Sequence, residues 1–145
     1  TRTSYSFDAD LIAKDAGLVG ASAAAEVASV ARVINVGVAR FDAACVLTLI
    51  ACEIASNNEL YTVSVQGSTS PTFASDVQNL AMIDFGATEV RKGGAIDSLV
   101  GRYTVDFTNC QNDVIYPYIR LYTTVAGTID TGGINYSAFF AKKEN

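Results

Sequence analysis

The sequence contains no histidine and no tryptophan, and only 17% of its 145 residues are charged. Without histidine the chain lacks the commonest general base, the Ser-His and Cys-His nucleophile pairs, and most catalytic zinc sites. Three cysteines are present, Cys45, Cys52 and Cys110. An odd number at unrelated spacings makes a poor disulfide framework and a poor zinc site. On one regular strand the odd spacing of Cys45 and Cys52 would send them to opposite faces. All three read as small buried hydrophobes in a reducing compartment, with no disulfide expected. No glycine loop cradles phosphate: Gly93-Gly94 and Gly132-Gly133 fall between strands and lack the lysine of a P-loop. Asp130 and Thr131 lack the regular acidic spacing of a calcium loop. The sequence thus assigns no catalytic, cofactor or metal residues.

Basic residues are few as well. Ten of them are scattered along a chain of net charge −5, whereas a phosphate backbone calls for clustered Lys and Arg. Nucleic acid is not an expected partner. Nor is a membrane, because the longest apolar runs are too short and too interrupted to span one. No charged-then-apolar leader is visible, so export is not expected. A start at Thr1 is what removal of an initiator Met before a small residue would leave.

What is abundant is apolar: half of the residues are hydrophobic. A chain of this length fits one domain and buries roughly 70% of its unfolded surface without needing metals or disulfides. The apolar excess implies that neighbouring subunits cover part of the surface.

The arrangement along the chain is one of strands. Residues 30–38 carry Val30, Val33, Ile34, Val36 and Val38, a β-branched run ending at Arg40-Phe41-Asp42. Residues 45–54 are nearly all apolar and suit a buried central strand. Ser56-Asn57-Asn58-Glu59 is a turn. Then Tyr61, Val63 and Val65 alternate with Thr62, Ser64 and Gln66, as in a strand with one wet face. Residues 67–71 form a loop, and 76–82 suggest a short helical turn. Arg91-Lys92-Gly93-Gly94 is another turn. Tyr103, Val105 and Phe107 mark a further strand, residues 116–125 another with Pro117 at its start, and residues 134–141 the last.

Residues 1–26 differ. Alanine would allow a helix near residue 23, but glycines bracket it and no amphipathic face appears. The segment reads as an extended N-terminal arm or edge segment attached to a β-sandwich domain over 27–145. The fold class expected is all-β: one antiparallel sandwich of jelly-roll type with an N-terminal arm. An immunoglobulin-like sandwich fits less well, lacking the Trp and the paired cysteines. The arm supplies the candidate partner-binding residues, Tyr5, Phe7, Leu11 and Ile12, which are apolar side chains without a strand or helix period.

The candidate carboxylates for glycoside hydrolysis are Glu53, Glu59, Asp84, Glu89, Asp97 and Asp106, and solvated surface acids are the simpler reading. Aromatics concentrate near the C-terminus: Tyr116, Tyr118, Tyr122, Tyr136, Phe139 and Phe140. They are candidates for a sugar-stacking platform or for core and subunit contacts.

Several stretches resemble the small jelly-roll cement, or decoration, proteins of tailed-phage capsids. They are Gln66-Gly67-Ser68-Thr69-Ser70-Pro71-Thr72-Phe73, Gly101-Arg102-Tyr103-Thr104-Val105-Asp106-Phe107, and the run from Tyr118-Ile119-Arg120-Leu121-Tyr122 to Thr128. Gly132-Gly133-Ile134-Asn135-Tyr136-Ser137-Ala138-Phe139 and the opening Tyr5-Ser6-Phe7-Asp8 are similar too. The resemblance implies a non-enzymatic structural virion protein, made in the bacterial host cytoplasm and placed on the capsid exterior. It implies the major capsid protein as partner, self-association as a homotrimer, and no cofactor. The alternatives are a carbohydrate- or receptor-binding sandwich on a virion surface and a small glycosidase-like enzyme.

Overall fold

The structure, a computed structural model, describes residues 8–143. After a single 3-10 turn (Ala9–Leu11) come six short pieces: β1 (Ile12–Lys14), β2 (Leu18–Val19), β3 (Ala23–Ala24), β4 (Glu26–Val27), β5 (Val30–Ala31) and β6 (Ile34–Asn35). Four long strands follow: β7 (Asp42–Cys52), β8 (Leu60–Ser68), β9 (Gln78–Gly86) and β10 (Gly101–Thr108). A small hairpin, β11 (Cys110–Gln111) and β12 (Val114–Ile115), leads to β13 (Tyr118–Ala126) and β14 (Ile134–Lys142). The described residues contain no α-helix.

These strands form an antiparallel β-sandwich. One sheet runs β1-β14-β7-β10, with β2 also on β14, and the other runs β3-β13-β8-β9, with β6 also on β13. The alternation of Tyr61, Val63 and Val65 sends them inward, where they meet Ile119 and Leu121 of β13 and Phe85 of β9. The facing sheet contributes Ala43, Cys45, Leu47 and Leu49 from β7, and Ile134, Tyr136, Ala138 and Phe140 from β14. Phe107 of β10 packs edge-on against Phe140 with ring centroids 4.9 Å apart. Tyr136 is fully buried, and its hydroxyl is paired with Thr123 Oγ1 at 2.6 Å, so the polar tip is not orphaned.

The N-terminal segment is woven into the sandwich from Ile12 onward. β1 and β2 lie on β14 at the edge of one sheet and β3 lies on β13 at the edge of the other. The β4–β5 hairpin straddles residue 26, so no structural break falls there.

Three local expectations change. Residues 30–38 form two-residue pieces instead of one run. Ala28 and Ser29 both take positive φ, 53° and 64°, in a tight hairpin turn, and Val30 and Val38 are exposed. Residues 76–82 are not a helical turn: from Gln78 they join β9, whose ladder with β8 outweighs local propensity. Third, β7 carries a bulge. Ala51 pairs with Asn135 and Leu49 with Tyr136, so Ile50 is an extra residue. The bulge resets the alternation, and Cys52 packs against the same core as Cys45.

Candidate functional site

Five of the six carboxylates suggested for catalysis serve the scaffold. Glu53 directly follows β7 and accepts backbone N–H groups from Asp130 (2.6 Å), Thr131 (2.5 Å) and Gly133 (3.3 Å), together with the Thr131 hydroxyl at 2.8 Å. Chiefly through the Asp130 N–H bond, this cradle pulls its pKa down to about 2. Asp130 and Thr131 are thereby used as donors to Glu53. Glu59 is buried and accepts the N–H groups of Ser56 (3.0 Å) and Asn58 (3.1 Å), closing the turn before β8. Asp84 takes the Thr62 hydroxyl at 2.7 Å, Asp97 takes the Thr88 N–H at 2.8 Å, and Asp106 pairs with Lys143 at 2.7 Å. Glu89 is exposed.

A cavity of about 510 Å³ lies beside the N-terminal segment and contains none of these six acids. Its charged lining is Lys14, Asp15 and Glu26. Lys14 spends its ammonium on the carbonyls of Asp15 (2.9 Å), Gly17 (3.1 Å) and Tyr136 (2.8 Å). Asp15 accepts the Ala28 N–H at 2.7 Å. Among the described residues no group of three or more Cys, Asp or Glu is placed to hold a metal ion.

The chemistry on offer lies on the outer face of the β13–β8–β9 sheet. In β13, Ile119, Leu121 and Thr123 are buried, so Tyr118, Arg120 and Tyr122 share the opposite face. The Arg120 guanidinium sits 4.2 Å from the Phe73 ring centroid and 5.4 Å from that of Tyr122. Its Nε donates to Gln66 Oε1 at 2.8 Å. Burial moves the Arg120 pKa below its ordinary value, but a guanidinium remains charged at any physiological pH. Among the described residues, the terminal nitrogens of Arg120 carry no hydrogen-bond acceptor.

Phe73 reaches this face from a serine-rich loop. The Ser68 hydroxyl donates to the Ser75 carbonyl at 2.6 Å and accepts the Ser70 N–H at 3.0 Å, while Phe73 N–H donates to the Ser70 carbonyl at 3.1 Å. Phe73 takes a φ of 55°, a region bulky side chains avoid at a cost of about 1–3 kcal/mol. The residue is 8% exposed. At the start of the loop Gly67 makes room for Tyr116 and Leu80: a Cβ there would come within 2.8 Å of Tyr116 Cβ and 2.9 Å of Leu80 Cδ1. Met82, half exposed at 50%, stands opposite Ser64 on the same sheet.

Of the arm residues, Leu11 packs against the core and Ile12 opens β1 opposite Phe139. Tyr5 and Phe7 lie outside the described residues. Among the C-terminal aromatics, Tyr136 and Phe140 are core, Tyr116 is buried and Phe139 half-buried, whereas Tyr118 and Tyr122 flank Arg120. Arg120, Gln66 and Phe73 were not singled out as a group by sequence, although period-two alternation through 118–123 already puts Arg120 between the two tyrosines.

No protein-family model matches the chain, and no curated protein matches it.

Proposed function

We propose that the chain is a non-enzymatic, protein-binding β-sandwich that clads the outside of a phage head by gripping major capsid subunits. The observation that carries the protein-binding reading is the Arg120 cluster. Arginine and aromatic residues dominate binding hot spots, and here Tyr118, Arg120, Tyr122 and Met82 share one face with few competing charges. The guanidinium is held in place on one side and has its terminal nitrogens open, which suits a carboxylate or carbonyl on a partner.

The strand order supports a jelly roll. When β1/β2 and β3/β6 are taken as the first two lanes, the sheets read 1-8-3-6 and 2-7-4-5. That is the winding of eight strands through two Greek keys. The capsid assignment rests on this order together with the sequence resemblance. Phe73 has its ring turned onto the guanidinium and offers no free face to a sugar. A glycan platform is therefore the weaker use of this surface.

The test is co-sedimentation of the purified protein with undecorated heads of the phage that encodes it. Saturable binding is expected. Arg120→Ala should weaken it about 30-fold or more, as loss of a hot-spot arginine costs about 2 kcal/mol or more. Folded wild-type protein that stays in the supernatant at micromolar concentration would overturn the proposal.

A further inference from the structure

β10 is the last strand of its sheet, and among the described residues nothing pairs with its outer side. It spans Gly101–Thr108 without a proline, a bulge or a covering strand to blunt the edge, and its two charges, Arg102 and Asp106, are of opposite sign. The phase of its hydrogen bonding follows from one contact. Asn109 N–H donates to the Phe41 carbonyl, continuing the register that sets Thr108 against Asp42. Odd-numbered residues of β10 therefore bond to β7, and Arg102, Thr104 and Asp106 direct their N–H and C=O groups outward. Those same residues are exposed.

We infer that β10 pairs antiparallel with β10 of a second copy of this chain, about a two-fold axis at Thr104. The sequence around Thr104 is complementary to itself in that register. Arg102 comes opposite Asp106 of the second copy, and Asp106 opposite its Arg102, so two opposite-charge pairs form on the solvent face. Tyr103 comes opposite Val105 of the second copy twice over, an aromatic–β-branched pairing that favours sheets. Both residues are only half-buried in the single chain. Asp106 has room for a second cation, because Lys143 engages only Oδ2, at 2.7 Å, and the carboxylate side chain stays 63% exposed. Registers that shift the axis by one residue along each strand keep the hydrogen-bond phase but separate these charges. The outward amides and carbonyls of Arg102, Thr104 and Asp106 would exchange about six hydrogen bonds. The contact uses the same patch on both copies and closes at two. It stands independently of the capsid proposal, and it makes a dimer, in place of the trimer implied by the resemblance, the species expected in solution.

Light scattering on the purified full chain should give twice the 15.3 kDa chain mass. Thr104→Pro removes an outward N–H while sparing the β7 ladder, so it should yield a folded monomer whose melting temperature, unlike that of the wild type, does not rise with protein concentration. R102D places like charges opposite each other at both ends and should raise the dimer dissociation constant at least tenfold. R102D/D106R restores opposite charges in the same register and should recover dimerisation. A wild-type monomer or trimer, or a double variant no tighter than R102D, would overturn the inference. Should Thr104→Pro fail to fold, the charge swap decides alone.

Discussion

Glu53 ties its ionisation to this fold. Its carboxylate stitches the end of β7 to the 130–133 turn through four hydrogen bonds. That cradle exists only in the folded chain, where the pKa is about 2, against about 4.3 for an unfolded glutamate. Because the folded value is the lower one, the stabilisation is fully present above the unfolded pKa and is lost as pH falls through about 2. Thermal melts should show wild-type stability declining from about pH 4.5 towards pH 2. Glu53→Gln should melt lower at pH 7 and show a shallower decline over that acid range. An equal acid slope in both proteins would assign the effect to other carboxylates.

At the level of elements, the β7 bulge decides where the thiols go. Ile50 is looped out, and Cys52 turns to the core beside Cys45. Burial pushes the Cys45 thiol up to about 12 and the Cys52 thiol up to about 11. Neither is therefore a thiolate at pH 8, and the thiolate is the reactive form. A thiol-specific chromophore at pH 8 should leave Cys45 and Cys52 unmodified in the native protein and label all three cysteines in denaturant. Rapid native labelling of Cys52 would contradict the bulged geometry. The bulge also shows where sequence reading runs out. Alternation located β8 and β10, because their period of two persists while one face is buried, whereas aromatic and β-branched composition and the glycine turn at 127–133 located β13 and β14. Nothing in Leu49-Ile50-Ala51 announces an extra residue, since every position there is apolar or small. β9 was hidden for a related reason: Asp76-Val77-Gln78-Asn79 has weak strand propensity, and its pairing with β8 is a long-range fact. The Arg120 cluster was half legible. Its two tyrosines follow from alternation, whereas Phe73 arrives through a loop with residues at positive φ that no periodicity encodes.

For the whole molecule, the N-terminal segment determines whether the sandwich is closed on one side. β1 and β2 cover β14, and β3 covers β13, so the segment bridges both sheets along one flank. Lys14 is its anchor: the residue is 5% exposed, its ammonium holds three carbonyls, and it lies 4.4 Å from the centre of the Tyr136 ring. Burial lowers its pKa, while neighbouring Asp15 and Glu26 act in the opposite sense. Lys14→Met keeps the length and the apolar stem but strips the donors from those carbonyls. A buried acceptor left without a partner costs about 1–3 kcal/mol, and the Tyr136 carbonyl is the buried one of the three, so the substitution should destabilise the fold by about 1–3 kcal/mol. Deleting residues 1–14 removes the anchor together with β1, and should lower the melting temperature much further or abolish cooperative unfolding. Deleting residues 1–7 leaves Lys14 and both edges in place. That shorter truncation should melt within a few degrees of the full chain. If Tyr5 and Phe7 tether the protein to a capsid, it should also dissociate faster from heads. The two truncations separate a scaffold role from a binding role. Equal melting temperatures for both would show that the flank closes without β1, and the anchoring role of Lys14 would fall with it.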